Sequence, residues 1–359
     1  MTTRENIIEA LNGGMPQRIP LTVYEDDAGR LISPEMRSRC FEQGLGVIRH
    51  AFDLVEWIQH DVRITQQETE IAGKIHKVIR YETPVGSLEQ VHVDGWHHEY
   101  FIKEDSDYDV MRWIVEHTEV RAAPERMVAH LEVIGEQGIC MPAGFWSIGD
   151  QSETILWEAL RSPFMKMCVD WVDMQKFCMD AALETPEMIA LYEAMRVVYR
   201  KTAEALTQCS APFVKLFENL TIPMIGPARY SEFLSPVYNE WAEIFEPTGK
   251  KLCVHFDGQL GAVKNQIAAE RFSIIESLTE PPEGNMTYDE CRAAWPDKVF
   301  WANLRADTFL LKGDELKEEI RGIVSRAGRK GLLLEFAEHL PENGDEVVSV
   351  ILEVLNEDF

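Results

Sequence analysis

From about residue 125 onward the chain alternates short apolar runs with amphipathic helical stretches, and this alternation limits the possible folds more than any other feature. Residues 138–143, 213–218, 251–257, 272–276, 299–303 and 331–335 each read as a strand. Residues 152–181 read as helix in two pieces, broken at Pro163. Thr185 precedes Pro186, a favoured first helical position, and the helix there is predicted to run to about Thr207. Ser235-Pro236 opens another helix, Thr287 and Glu290 have capping-box spacing, and a helix over about 314–327 stops at Gly328. Strands that alternate with helices imply parallel βα units. No Gly-x-Gly-x-x-Gly and no phosphate-loop motif follows a strand, which disfavours an open doubly wound sheet. The expected fold is α/β, a (β/α)8 TIM barrel.

The N-terminal part fits the same plan. A helix capped by Thr3, with Ile7, Ile8 and Leu11 as its apolar stripe, ends at Gly13-Gly14 and leads to a strand over 18–24. Within residues 74–102, segments 78–83 and 88–93 flank Pro84-Val85-Gly86-Ser87, a hairpin pattern. The segment reads as an antiparallel insertion, so the 359 residues are expected to form one domain, 1–359: a barrel of about 250 residues plus additions.

Composition narrows the function. With 45% hydrophobic residues a large core can be buried. The net charge is 35 − 61 = −26, which would repel nucleic-acid phosphates and anionic lipid headgroups, so neither is an expected partner. No apolar run approaches the ~20 residues of a membrane span. The seven cysteines are loosely spaced without a Cys-x-x-Cys, which argues against a disulfide framework or a tetrathiolate zinc site and for a reducing cytoplasm.

In a barrel of this kind, polar residues at the C-terminal ends of strands are the candidates for chemistry. In Val254-His255-Phe256-Asp257 the imidazole and the carboxylate share one strand face and can converge on one metal ion or one substrate. His255 can equally be a structural hydrogen-bonding residue. Glu218 closes the apolar strand before it, and a buried carboxylate needs a partner or a ligand; a salt bridge or a helix cap would serve as well. Glu335, Glu338 and His339 follow the last apolar strand. Tyr24 to Arg30 is polar after a strand; Arg30 could bind a substrate carboxylate, or the segment could be a surface loop. Trp96, Phe101, Phe145 and Trp146 could line a pocket or belong to the core.

The segment Pro16-Gln17-Arg18-Ile19-Pro20 after the first helix, the Ser235-Pro236 helix leading through Gly249-Lys250-Lys251 to His255, the stretch from Glu276-Ser277-Leu278 to Trp301-Ala302-Asn303, and residues 332–343 together resemble the uroporphyrinogen decarboxylase-like superfamily over nearly the whole chain. Its decarboxylases carry an arginine-rich N-terminal signature. Here Glu25-Asp26-Asp27-Ala28-Gly29-Arg30 keeps the Ala-Gly-Arg end, but the acids before it would repel a porphyrinogen polycarboxylate. Its thiol methyltransferases bind zinc through His-x-Cys and a later Cys. His255 matches that His, Asp257 replaces the first Cys, and Glu338 falls near the later one. A carboxylate-rich set would leave zinc a stronger Lewis acid, suited to an ether oxygen.

The resemblance therefore implies a zinc-dependent methyltransferase that moves a methyl group from a small-molecule methyl ether or similar donor to the Co(I) of a separate corrinoid protein. No Asp-x-His-x-x-Gly motif occurs here, so the corrinoid is expected on the partner. His255 and Glu218 are the expected zinc ligands, with a third from Asp257, Glu335 or Glu338. Asp257 and Asp26 are the candidate catalytic carboxylates, and Arg30, Tyr24 and Trp146 the candidate substrate contacts. Two alternatives stay open: a cofactor-free decarboxylase with Arg30 and Asp26 near its substrate, and a non-catalytic ligand-binding barrel. A homo-oligomer is compatible with all three.

Overall fold

The structure is a computed structural model that describes residues 1–220, 222–336, 340–341 and 344–357. Among these residues eight strands form one parallel sheet: β1 (Leu21–Tyr24), β2 (Gly46–Ala51), β3 (Gly138–Pro142), β4 (Phe213–Leu216), β5 (Lys251–His255), β6 (Ile274–Leu278), β7 (Val299–Leu304) and β8 (Leu332–Phe336). Their order is β4-β5-β6-β7-β8-β1-β2-β3, with helices between them, which is the expected (β/α)8 barrel. At the remaining seam, between β3 and β4, Leu160 supplies connecting bonds. Its N–H donates to the Ala143 carbonyl (2.8 Å), and its carbonyl accepts from the Phe217 N–H (2.7 Å).

Side chains alternate along each strand, so every second residue points to the barrel axis. The inward set Ile48, Met141, Phe213, Cys253, Trp301 and Leu333 forms a dry core. The first helix, Thr3–Leu11, plugs the N-terminal end of the barrel with Ile7, Ala10 and Leu11. Its cap is Thr2, one residue earlier than the sequence suggested, because Glu5 stands three positions after Thr2 and completes a capping box with it. The capping box of Thr287 and Glu290 and the helix Pro186–Leu206 form as expected.

The chain between β2 and β3 leaves the barrel at its C-terminal face and builds a cap. The expected hairpin forms there as Lys74–Thr83 and Gly86–Val93, and it is extended by Arg63–Ile71 and Trp96–Glu99 into a four-stranded antiparallel sheet. A second sheet joins Val55–Gln59 and Thr118–Ala122 to Gly144–Gly149 and Ile155–Ala159. Residues 155–159 are thus strand, although the sequence suggested helix. They pair along their length with Gly144–Gly149, and Gly144 lets the two backbones approach closely: a Cβ there would lie 2.4 Å from the Glu158 carbonyl oxygen. Helix begins only at Pro163, and Met167–Trp171 is a π-helical turn. Among the described residues no helix is long and apolar enough to cross a membrane.

The plug carries a prediction. Ile7 is fully buried against the strand residues of the barrel floor. Ile7→Ala should lower stability by about 2–5 kcal/mol, read from the shift of the urea unfolding transition with the slope unchanged.

Candidate functional site

At the C-terminal end of the barrel the inward positions turn from apolar to ionisable. Continuing the parity of the core residues, β1 presents Tyr24, β4 Lys215, β5 His255, β6 Glu276 and β8 Glu335. Lys215 and Glu276 have no solvent-exposed side-chain surface. The Lys215 Nζ donates to Glu276 Oε1 (2.6 Å) and to the Tyr24 hydroxyl (2.7 Å). The Tyr24 hydroxyl in turn donates to Glu276. The ammonium lies 4.4 Å from the Tyr24 ring centroid and 4.1 Å from that of Phe217, so aromatic faces replace part of its lost hydration.

Glu276 organises the group. Its other oxygen, Oε2, accepts from His255 Nδ1 at 2.5 Å. Burial alone would raise the Glu276 pKa, but Lys215 and His255 outweigh it and hold the carboxyl well below its usual range. For His255 burial works downward, while Glu276 and Asp257 work upward and prevail, so its pKa lies above the ordinary imidazole value. The remaining ring nitrogen, Nε2, is 3.7 Å from Asp257 Oδ2. Glu335 is pushed the other way: burial, then the neighbouring Glu276 to which it hydrogen-bonds, raise its pKa well above normal. Burial, followed by the nearby Lys215, holds His50 neutral, with its ring edge-on to Tyr24 and Phe217.

A cavity of about 370 Å³ opens over this cluster. Tyr24, His255, Asp257, Asn303, Arg305 and Glu335 are among its walls. A second cavity adjoins it, shares Tyr24 and Asp27, and is lined also by Asp26, Arg49, His50 and Trp157. The structure thus brings Tyr24, His255, Asp257 and Glu335 together, as the sequence suggested.

It does not bring in Glu218, Arg30, Asp26 or Trp146. Glu218 has the opposite strand parity: its carboxylate points outward and accepts from the Ser162 N–H (2.6 Å), the Ser162 hydroxyl (2.6 Å) and the Tyr238 hydroxyl (3.0 Å). Arg30 lies on the short helix Glu25–Leu31 and pairs with Asp27 at 2.7 Å, outside the cavity walls. Asp26 lines the adjoining cavity and is not among the walls of the cavity over the cluster. Trp146 lies in the cap, 4.5 Å beneath the Arg126 guanidinium, and lines neither cavity. Glu338 and His339 lie outside the described residues.

Would the residues present hold a zinc ion? Among the described residues no three His, Cys, Asp or Glu side chains converge as a metal site. One nitrogen of His255 is committed to Glu276, Glu276 is shared by three donors, and Glu218 is turned away. The fully buried Lys215 ammonium already sits on Glu276, so an added dication would face that cation at close range. The described donor set does not fit zinc, which binds through deprotonated, converging ligands.

No protein-family model and no curated protein sequence matches the chain. Among solved structures it is similar to a methyltransferase from Methanosarcina mazei, with 11% identity, a TM-score of 0.55, and coverage of 99% of this chain and 98% of that one. It is also similar to a pneumococcal exo-β-D-N-acetylglucosaminidase, with 10% identity, a TM-score of 0.39, and coverage of 97% and 84%. The first likeness establishes a shared fold over the full length; the second carries no argument.

The ion pair at the axis makes a prediction. Lys215→Met leaves Glu276 buried without its cation and should cost about 3–5 kcal/mol of stability at pH 7. Adding Glu276→Gln should recover part of that loss, since it removes the stranded charge. Denaturant titrations of the two variants against the parent protein measure both effects.

Proposed function

We propose that this chain is a methyltransferase that takes a methyl group from a small-molecule methyl ether held in the axial cavity and passes it to the Co(I) of a separate corrinoid protein. The observation that carries the reading is His255: an imidazole locked through Nδ1 by a buried carboxylate that, against the pull of burial, raises its pKa, with Nε2 left toward the cavity. The full-length likeness to a methyltransferase fold supports it.

The chemistry follows from the leaving group. An alkoxide or phenoxide is expelled with difficulty from a methyl ether. When the acceptor's electron pair attacks the methyl carbon, the pair of the breaking C–O bond moves to oxygen. The Nε2–H of His255 delivers its proton to that oxygen, so a neutral alcohol departs and the imidazole is left neutral. Glu276 holds the ring and stabilises its cationic form, and Lys215 and Tyr24 keep Glu276 ionised. Asp257, beside Nε2, can take up the product hydroxyl or guide the return of a proton. No step requires a metal.

The direct test mixes the purified chain with a reduced corrinoid protein and a panel of methoxylated aromatics, betaines and methylamines, and follows corrinoid methylation by absorbance. Turnover of at least one ether is expected; no turnover of any compound overturns the reading.

Two finer outcomes follow. His255→Gln should slow ether demethylation by about 10²–10⁴-fold, as expected for loss of a general acid. It should slow a quaternary ammonium donor far less, since that leaving amine departs neutral. The raised pKa of His255 also sets the sign of the pH profile. The protonated form is complete at low pH, so the rate falls as pH rises through a value above about 6.5. In Glu276→Gln that descending limb should move to lower pH, because the anion that raises the imidazole is gone.

A further inference from the structure

The cap holds a cavity of about 270 Å³ that the axial chemistry does not use. One wall is a face of the four-stranded sheet, where Lys77, Ile79, Gln90, His92 and His97 project together. The other wall is the strand Ile155–Ala159 and the segment that follows it, including the π-helical turn with Asp170 and Trp171. π-Turns inside helices are frequent at functional sites.

The charges in this cavity are unusual for a chain of net charge −26. Two carboxylates reach it, and both are spoken for. Lys166, with no exposed side-chain surface, donates to Glu158 (2.5 Å) and Asp170 (2.7 Å), and Arg161 donates to Asp170 through Nε (3.2 Å). A third cation, Lys77, is half-buried on the sheet wall and has no ion pair among the described residues. The lining thus carries three cations against two engaged anions. Beside Lys77 stand two imidazoles in contact with each other, His92 Nε2 and His97 Nδ1 at 3.1 Å. Burial pulls both below the ordinary imidazole range: that of His92, with help from His97 and Lys77, to about 4, and that of His97 despite the opposing Asp170. They are neutral polar contacts at neutral pH. Three aromatic residues, Phe101, Trp157 and Trp171, stand among the lining together with the aliphatic Ile79, Ile155 and Leu156, and Trp157 is 67% exposed at the rim.

We propose that this cap cavity is a second binding site, for a small organic anion whose flat apolar body lies among the aromatic rings and whose carboxylate meets Lys77. A net positive, partly desolvated pocket in an acidic protein selects for an anion. The volume is at the lower end for ligand pockets and fits a single-ring molecule. An isolated ammonium on an otherwise paired wall gains most from a carboxylate partner. The site shares no lining residue with the axial cavity, although Trp157 also lines the cavity adjoining that one, and neither its existence nor its ligand depends on the methyl-transfer reading.

The test uses the full chain and three probes of one size: benzoate, benzylammonium and benzyl alcohol. Binding is measured by equilibrium dialysis and by quenching of tryptophan fluorescence. We expect saturable benzoate binding at one equivalent, with benzylammonium and benzyl alcohol at least about tenfold weaker. Lys77→Met should weaken benzoate about tenfold or more, and Lys77→Arg should retain it. Arg305→Met, in the axial cavity, should leave benzoate affinity unchanged. Circular dichroism and the melting temperature establish that each variant is folded. Absence of saturable benzoate binding, equal binding of benzylammonium, an unchanged affinity in folded Lys77→Met, or loss of binding in Arg305→Met would each overturn the proposal.

Discussion

The pairing of Lys215 with Glu276 at the barrel axis governs the rest of the active end. Two full charges with no exposed surface are costly to desolvate, and their attraction compensates only if further hydrogen bonds satisfy what remains. The fold supplies those bonds from three other strands: the Tyr24 hydroxyl, His255 Nδ1 and the Glu335 carboxyl all converge on Glu276. Each partner is fixed in turn, with its protonation set by the same contact. One buried carboxylate thus raises the pKa of a neighbouring imidazole and adds to the burial that raises the pKa of a neighbouring carboxyl. Titratable groups whose environments drive them apart in this way are the usual mark of acid–base chemistry.

How much of this could be seen in the amino-acid sequence depended on strand parity. The barrel was legible because each strand is a short apolar run bounded by helix signals. His255, Asp257, Tyr24 and Glu335 were legible as polar groups near strand ends. Glu218 was singled out by the same criterion, but it sits one residue past an inward position, and a single step along a strand turns a side chain to the other face. Lys215, three residues earlier, has the inward parity and was passed over as part of an apolar run. Glu276 was hidden for the same reason, at the end of the run Phe272-Ser273-Ile274-Ile275-Glu276. An ionisable residue embedded in an apolar strand, in register with the inward-facing hydrophobics, was the available signal.

The cap was harder to read, and the reason is physical. The hairpin over 74–93 is a local structure with its own turn, so its pattern is written in contiguous residues. The second cap sheet joins Val55–Gln59 to Gly144–Gly149 across the whole insertion, and Ile155–Ala159 is strand because Gly144–Gly149 pairs with it. Intrinsic preference over 152–159 is weak, and tertiary pairing decides it. Trp146 illustrates the same limit. An aromatic beside a presumed pocket proves to be the floor beneath Arg126, a partner twenty residues away in sequence.

Leu160 gives the cap a standing that its position at the rim does not suggest. The residue belongs to the chain leaving the cap's last strand, and its own peptide groups bond to Ala143 on one side and to Phe217 on the other. The cap therefore contributes a rung to the wall of the barrel. A shortened chain that lacked this segment would not be a simpler barrel with an uncovered mouth. It would carry a slit between β3 and β4, with two strand edges left to find another backbone, and exposed edges of that kind recruit neighbouring molecules. The modularity that loop insertions usually enjoy is thus withdrawn here: the stretch around Leu160 could be neither excised nor transplanted without the barrel that it closes.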